Sequence, residues 1–336
     1  MTTTINVAVA GCGAVGGALL DLLAENAESI ARRTGVRFAV TRVLVRNASL
    51  PRSSCLDRSL ITDELDEFLA SPADIVVEAI GGVERAERIA RSALARGKRV
   101  VTANKALLRV AGPALAAFAH AHRNSGASLD FEAAVGGGVP IVRLLRESLA
   151  GHGLTSIRAV LNGTTNYILS RIEQGATFPE ALAAAQRAGF AEADPSRDLS
   201  GQDAADKIAV LAWLAFGADP ATLEVRVRGL SRHVESDVRD AARQGKVIRL
   251  VATAVQAGDG VHATVAPQVL HRSDAFAQVR DEENLIQLES DSSGVVSVSG
   301  RGAGGRATAA SLLADLLRHS PHRHSCLLSP ATSHHP

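Results

Sequence analysis

The chain has 336 residues, 46% hydrophobic and 21% charged, with a formal net charge of +1. That length favours two domains over one and allows a sizeable core. The near-neutral charge gives no electrostatic footprint for nucleic acid or a membrane surface, and 3% aromatic residues leave little to stack on bases. Cys12, Cys55 and Cys326 are scattered and odd in number, as in a reducing compartment. The opening residues enter a strand pattern with no basic leader, and the densest apolar stretch, residues 208–216, is too short to span a bilayer. A cytoplasmic α/β protein is the expectation.

Strand and helix signals alternate at first. "INVAVA" (5–10) is a β-branched run closed by glycine, and "GALLDLLAEN" (17–26) has helical spacing. "FAVTRVLV" (38–45), "ADIVVEAI" (73–80), "KRVVTAN" (98–104) and "SLDFEAAV" (128–135) read as further strands with helical segments between them. Such alternation predicts a Rossmann-type, doubly wound parallel sheet. Between the first strand and helix stands Gly11-Cys12-Gly13-Ala14-Val15-Gly16. In such a loop the first glycine permits the turn, the second lets a pyrophosphate approach the backbone, and the third lets helix and strand pack closely. The phosphates would sit at the helix N-terminus, on Ala14 and Val15; the alternative is a tight turn that binds nothing.

Near "VLVRN" the second strand ends, where an acidic residue would grip the ribose 2′-hydroxyl of NAD. Arg46 stands there instead, which favours NADP over NAD unless it is only a solvated surface arginine. "EAIGG" and "VTANK" bring Gly81, Gly82, Thr102 and Lys105 to the carboxyl edge of the sheet, where open α/β sheets bind ligands. Lys105 is then either a crevice residue or a solvated helix start.

From about residue 131 the texture changes. "FEAAVGGGVPIV" (131–142) is a glycine-rich bend, readable as a hinge, and "VLNGTTNYIL" (160–169) is a strand leaving into a helix capped by Asn162 or Thr164. "GFAEADPSRDLSGQDAADKIAV" (189–210) then packs five acids around Lys207 and turns apolar. Ser200 and Asp203 fit a capping box, and Asp203 with Lys207 the spacing of a surface ion pair. Yet the helix that follows is apolar almost all round, so a lysine on it needs carboxylates, and Asp203 and Glu192 are available. A buried, carboxylate-bracketed lysine is a candidate proton donor.

"KVIRLVATAVQ" (246–256), "VHATVAPQVL" (261–270), "NLIQLES" (284–290) and "GVVSVSG" (294–300) read as strands of a second, α+β domain. "RATAASLLADLLRH" (306–319) is a helix returning to the first. The division expected is 1–131 for the nucleotide, 132–300 for substrate and dimerisation, 301–318 for the returning helix, and 319–336 as a disordered tail without a regulatory domain.

The stretch from Ala185 to Lys207 resembles the signature of homoserine dehydrogenases, and "VTANK", "EAAVGGGVPI", "LNGTTNYIL" and "GRGAGGRATAASLLADL" are similar to further stretches of that family. The resemblance reaches to about Leu317. It implies NAD(P)-dependent interconversion of L-homoserine and L-aspartate 4-semialdehyde, in threonine, methionine and isoleucine biosynthesis. By it Lys207 looks like the acid/base group, Lys105 a second lysine beside substrate and nicotinamide, and Glu192 and Asp203 the homoserine ligands. The carbonyls of Val135, Gly137 and Val139, with Glu132, resemble a monovalent-cation site for Na+. Gly189 and the Gly302–Gly304 loop resemble backbone contacts to the cofactor. The rivals are an inactive NADP-binding regulatory relative and a dehydrogenase of another small amino-acid aldehyde. A homodimer is expected.

Overall fold

A computed structural model describes residues 2–49, 56–231 and 233–318. The expectations for the 319–336 tail and for Cys55 and Cys326 lie outside these residues. The first sheet is built from β1 (Thr3–Ala10), β2 (Val36–Leu44), β3 (Ile61–Thr62), β4 (Ile75–Glu78), β5 (Arg99–Thr102) and β6 (Ser128–Asp130). Its order is β3-β2-β1-β4-β5-β6, with every neighbouring pair parallel. Val7, Ala8, Val9 and Ala10 are all fully buried, as in a strand covered on both faces. The order reverses between β1 and β4, so their exit loops diverge and open the crevice where such sheets hold ligands.

The second sheet joins β7 (Leu154–Val160), β8 (Val225–Val227), β9 (Lys246–Ala257), β10 (Gly260–His271), β11 (Glu283–Ser290) and β12 (Gly294–Arg301) in the order β12-β11-β7-β9-β10-β8. It is antiparallel except between β10 and β8. The helices Gly163–Glu173, Gln202–Phe216 and Val234–Arg243 pack against β9. The Gly305–Arg318 helix leaves the second sheet and buries Ala309, Leu312 and Leu316 in the first unit's core, with Val7, Val9 and Leu19.

Two expectations need correction, and two strands come in addition. The strand expected over 128–135 ends at Asp130 and gives way to a 3-10 turn, Glu132–Ala134. There the Glu132 N–H donates to Asp315 and its carboxylate accepts from the Val142 and Arg143 N–H groups, so side-chain bonds replace the ladder. The capping box on Ser200 is absent: the 202–216 helix starts from Gly201 in the left-handed region (φ 83°), and the Ser200 hydroxyl donates to the Arg197 carbonyl. Two short strands, β3 and β8, carry too few residues to show a period.

Candidate active site

The glycine loop divides into residues the protein needs and one it does not. Gly11 has φ +101°, and a Cβ on it would lie 2.4 Å from the Ala79 carbonyl oxygen. A Cβ on Gly16 would lie 2.0 Å from the Gly11 carbonyl oxygen, which forces glycine where helix meets strand. Gly13 has an ordinary backbone and no atom within 4 Å of where its Cβ would be. Nothing in the fold demands glycine there; the space suits something that approaches from outside. Ala14 and Val15 open the Ala14–Glu25 helix with no acidic residue in its first turn, leaving amides for an anion.

A cavity of about 400 Å3 sits over this loop, between Arg46 at the end of β2 and the Ala79–Gly81 exit of β4. A second cavity, about 250 Å3, shares Ala79 and Gly81 with it and runs from Val15 past Gly82 to Asn104 and Lys105. Gly81 and Gly82, at φ +71° and +74°, turn the chain between the two. Beneath lies Glu78, which the sequence reading passed over. Fully buried at the end of β4, it accepts from Thr102 Oγ1 (2.5 Å), the Ile80 amide (3.0 Å) and Asn104 Nδ2 (3.4 Å). Burial pushes its carboxyl up, against the pull of those bonds. Asn104 also donates to the Gly82 carbonyl (2.6 Å) and caps the Lys105–Ala121 helix at Leu107. Glu78 thus ties the β4 and β5 exits together and fixes the point where Lys105 begins.

Lys105 is the first residue of its helix, the end where a cation opposes the helix dipole. Asp203 compensates: its Oδ1 lies 3.1 Å from Lys105 Nζ, and its Oδ2 lies 2.7 Å from Lys207 Nζ. The Asp203 and Lys207 side chains are only 11% and 13% exposed, which rules out an ordinary surface pair. Asn162 donates Nδ2 to Asp203 (2.8 Å) and to Asp198 (2.7 Å), while its Oδ1 accepts from the Thr165 N–H and so caps the Gly163–Glu173 helix. Lys207 Nζ also donates to the Leu161 carbonyl (2.8 Å). An ammonium has three N–H bonds, so one remains for a ligand.

The electrostatics follow from this packing. Burial pushes the Asp203 carboxyl up, but the Lys207 and Lys105 ammoniums outweigh it and hold it well below the usual range. Burial pulls Lys105 down, but Asp203, then Asp206 and Asp198, hold it above its ordinary value. Asp206 is itself tied to Arg197 (2.5 Å) and Gln202 (3.1 Å).

Glu192 does not join this cluster. It is exposed, its carbonyl accepting from Gln186 Nε2 at 3.3 Å, and the sequence expectation that it brackets Lys207 is corrected here. Asp194, two residues on, accepts from the Ser196 amide at 3.1 Å and is likewise exposed. Gly189 (φ +75°) is also exposed, in a loop tied to the Thr164 hydroxyl through the Phe190 carbonyl.

The glycine-rich bend meets the returning helix. The Gly137 carbonyl accepts from Ser311 Oγ (2.6 Å), and a Cβ on Gly137 would lie 2.6 Å from the Gly302 carbonyl oxygen. A Cβ on Gly305 would lie 2.3 Å from the Ala14 carbonyl oxygen, so the Gly302–Gly304 turn is delivered to the start of the first helix. The Val139 carbonyl accepts from the Ile141 N–H. With each carbonyl keeping a lone pair, Val135, Gly137 and Val139 are chemically suited to a hard cation. The Glu132 carboxylate accepts one backbone N–H on each oxygen at 2.8 Å and, like the carbonyls, keeps a lone pair on each; burial pushes its carboxyl up. Among the described residues no group of three or more His, Cys, Asp or Glu could hold a metal ion.

Two family profiles match the chain: "Homoserine dehydrogenase, NAD binding domain" over residues 11–127 and "Homoserine dehydrogenase" over 140–317. It is 34% identical to the homoserine dehydrogenase of Bacillus subtilis over 315 residues, 93% of this chain and 72% of that one. Identity to the Pseudomonas aeruginosa homoserine dehydrogenase is 37% over 316 residues, 93% of this chain and 71% of the relative. The solved homoserine dehydrogenase of Thiobacillus denitrificans superposes with a TM-score of 0.86 at 38% identity, covering 94% of this chain and 73% of that structure. A hyperthermophilic archaeal homoserine dehydrogenase in complex with NADPH superposes at 0.78 with 26% identity, covering 94% and 97%.

Proposed function

The chain belongs to the homoserine dehydrogenase family, and we propose on that premise that it interconverts L-homoserine and L-aspartate 4-semialdehyde with a nicotinamide cofactor. The observation that carries the reading is Asp203 bridging Lys105 and Lys207 at the end of the nucleotide crevice. One assay tests it: purified protein, homoserine and NADP or NAD, with absorbance of the reduced cofactor. No reduced cofactor with either would end the proposal.

When held by the glycine loop and the residues lining the crevice, a reduced nicotinamide would supply the hydride. Lys207 then protonates the alkoxide formed at the aldehyde carbon, through its one uncommitted N–H, while Asp203 and the Leu161 carbonyl keep Nζ aimed. In the oxidative direction the same nitrogen takes the hydroxyl proton. Lys105 offers its positive charge to the substrate carboxylate or the nicotinamide side. Asp203 binds substrate as one member of a set whose first task is to hold both lysines. Glu192, exposed and unpaired with either lysine, receives the substrate ammonium.

NADP is the cofactor proposed in preference to NAD, supported by Arg46 and the absence of an acid at the β2 end. Gly11, Gly13, Ala14, Val15, Gly16 and Gly81, with Gly302 and Gly304, would contact it through backbone, and Gly189 on closure of its loop. A monovalent cation, Na+ by preference, would be held by the carbonyls of Val135, Gly137 and Val139. Glu132 would join those carbonyls, its carboxylate already anchoring the loop through the Val142 and Arg143 N–H groups, and the cation would add a positive charge beside the hinge. Residues 1–131 would form the nucleotide unit, 132–300 the substrate unit and 301–318 the returning helix. A homodimer through the second sheet is supported by exposed Val255, Val269 and Val295 on β9, β10 and β12. A cytoplasmic place in threonine, methionine and isoleucine biosynthesis completes the proposal. No helix of the described residues is long and apolar enough to cross a membrane.

A further inference from the structure

The nucleotide cavity has arginines on two walls. Arg46 stands where β2 ends; Arg85 is the second residue of the Glu84–Ala95 helix, beyond β4 and on the other side of the reversal in strand order. Both are exposed, and no carboxylate lines the cavity. Helix stability does not explain Arg85, because the first turn of a helix favours acids, and Glu84 and Glu87 flank it there. Among the described residues its side chain makes one hydrogen bond, a long one, Nη2 to the Asp63 carbonyl at 3.4 Å. A guanidinium carries five N–H donors, so most of the fork is free to close on a ligand.

We infer that Arg85 is a second residue that selects the cofactor: it takes the 2′-phosphate of NADP from the wall opposite Arg46, the two guanidiniums gripping one dianion. This rests on the NADP reading above. A guanidinium fork suits phosphate oxygens, and two converging arginines offset both charges of a phosphate that a single arginine would half neutralise. The competing use for Arg85, stacking on the adenine ring, would serve NAD and NADP alike.

The test uses the whole chain and four proteins: wild type, Arg46→Ala, Arg85→Ala and Arg85→Lys. Steady-state kcat and KM are measured with NADP and with NAD, and NADPH and NADH binding is titrated without homoserine. Arg85→Ala should lower the NADP:NAD ratio of kcat/KM about tenfold through the KM for NADP, the loss typical of one charged hydrogen-bonding partner. Arg85→Lys should recover part of it, and the binding ratio should move in parallel. An unmoved ratio in Arg85→Ala, with Arg46→Ala still eroding it, would overturn the inference while leaving the NADP reading intact. So would an equal rise in both KM values, the mark of stacking. Equal wild-type efficiency with both cofactors would remove the NADP reading and this inference together. Arg85 is exposed and gives up one long bond, so the fold is not at stake.

Discussion

Asp203 and Lys207 stand one turn apart on a helix with 2.7 Å between Oδ2 and Nζ, and the same carboxylate reaches Lys105 from its other oxygen. A single acid therefore sets two lysines that belong to different sheets' helices. Substitutions at Lys207 and Asp203 should separate proton transfer from placement.

Lys207→Ala should lower kcat by a hundred- to ten-thousand-fold, the usual loss for a positioned acid/base group, while NADPH binding by titration stays near wild type. The cofactor cavity lies around Gly11, Arg46 and Gly81, away from this helix. A variant turning over at close to the wild-type rate would sink the role given to Lys207.

Asp203→Asn should move the pH profile as well as the rate. Burial alone pulls the Lys105 ammonium down, and Asp203 is the main group opposing it. With the charge gone, Lys105 should lose its proton at lower pH, and the alkaline limb of activity should shift toward neutrality. The sign for stability runs the other way. The folded Asp203 carboxyl is held low, so its contribution is present above the unfolded value of about 4 and is lost as pH falls below it. An unmoved alkaline limb in the variant would argue that Asp203 does not govern Lys105.

The glycine loop supplies a paired comparison. Gly16→Ala would place a Cβ 2.0 Å from the Gly11 carbonyl oxygen and should cost stability in thermal melts. Gly13→Ala meets no protein atom within 4 Å and should melt like wild type, yet raise the KM for the cofactor several-fold. Equal KM values in Gly13→Ala and wild type would mean that the pyrophosphate does not pass there.

Asp315 links pH to stability at the joint between the sheets. Its carboxyl is pushed up to about 7 by burial and the neighbouring Asp130 charge. Between about pH 4 and 7 the folded state keeps a proton that the unfolded chain has lost, so stability should fall as pH rises through that window. Asp315→Asn keeps an acceptor for the Glu132 N–H and removes the charge. Urea unfolding at pH 5 and pH 8 should show the variant gaining on wild type at the higher pH, by at most about 3 kcal/mol, because only the stretch from pH 5 to about 7 is sampled. An identical difference at both values would contradict the assignment.

What could be read from the chain alone was local. The glycine loop, the alternation of strands and helices and the Asp203–Lys207 spacing each sit within a few residues of sequence, where geometry leaves little choice. What escaped depended on distant neighbours. Glu78 looks like one more strand residue until the β4 and β5 exits close over it. Glu192 lies fifteen positions before Lys207 and seemed available as its partner, but it stands exposed while Asp203 takes the lysine. Asp203 looked like a cap because its sequence neighbours permit one, and Lys105, nearly a hundred residues away, draws it elsewhere. Arg85 gave no pattern at all, since only the fold brings it opposite Arg46.

The returning helix bears on the order in which the protein is made. Leu312 and Leu316 are fully buried against Leu19 and Val7, and Gly305 seats on Ala14, so the first-synthesised unit borrows a wall from residues that leave the ribosome long after it is complete. Until they emerge, the nascent nucleotide unit holds an uncovered apolar flank, the kind of surface that chaperones attend. A chain cut at residue 300 should yield a glycine loop with no firm backing, and a protease given the two fragments should find the first helix before anything else.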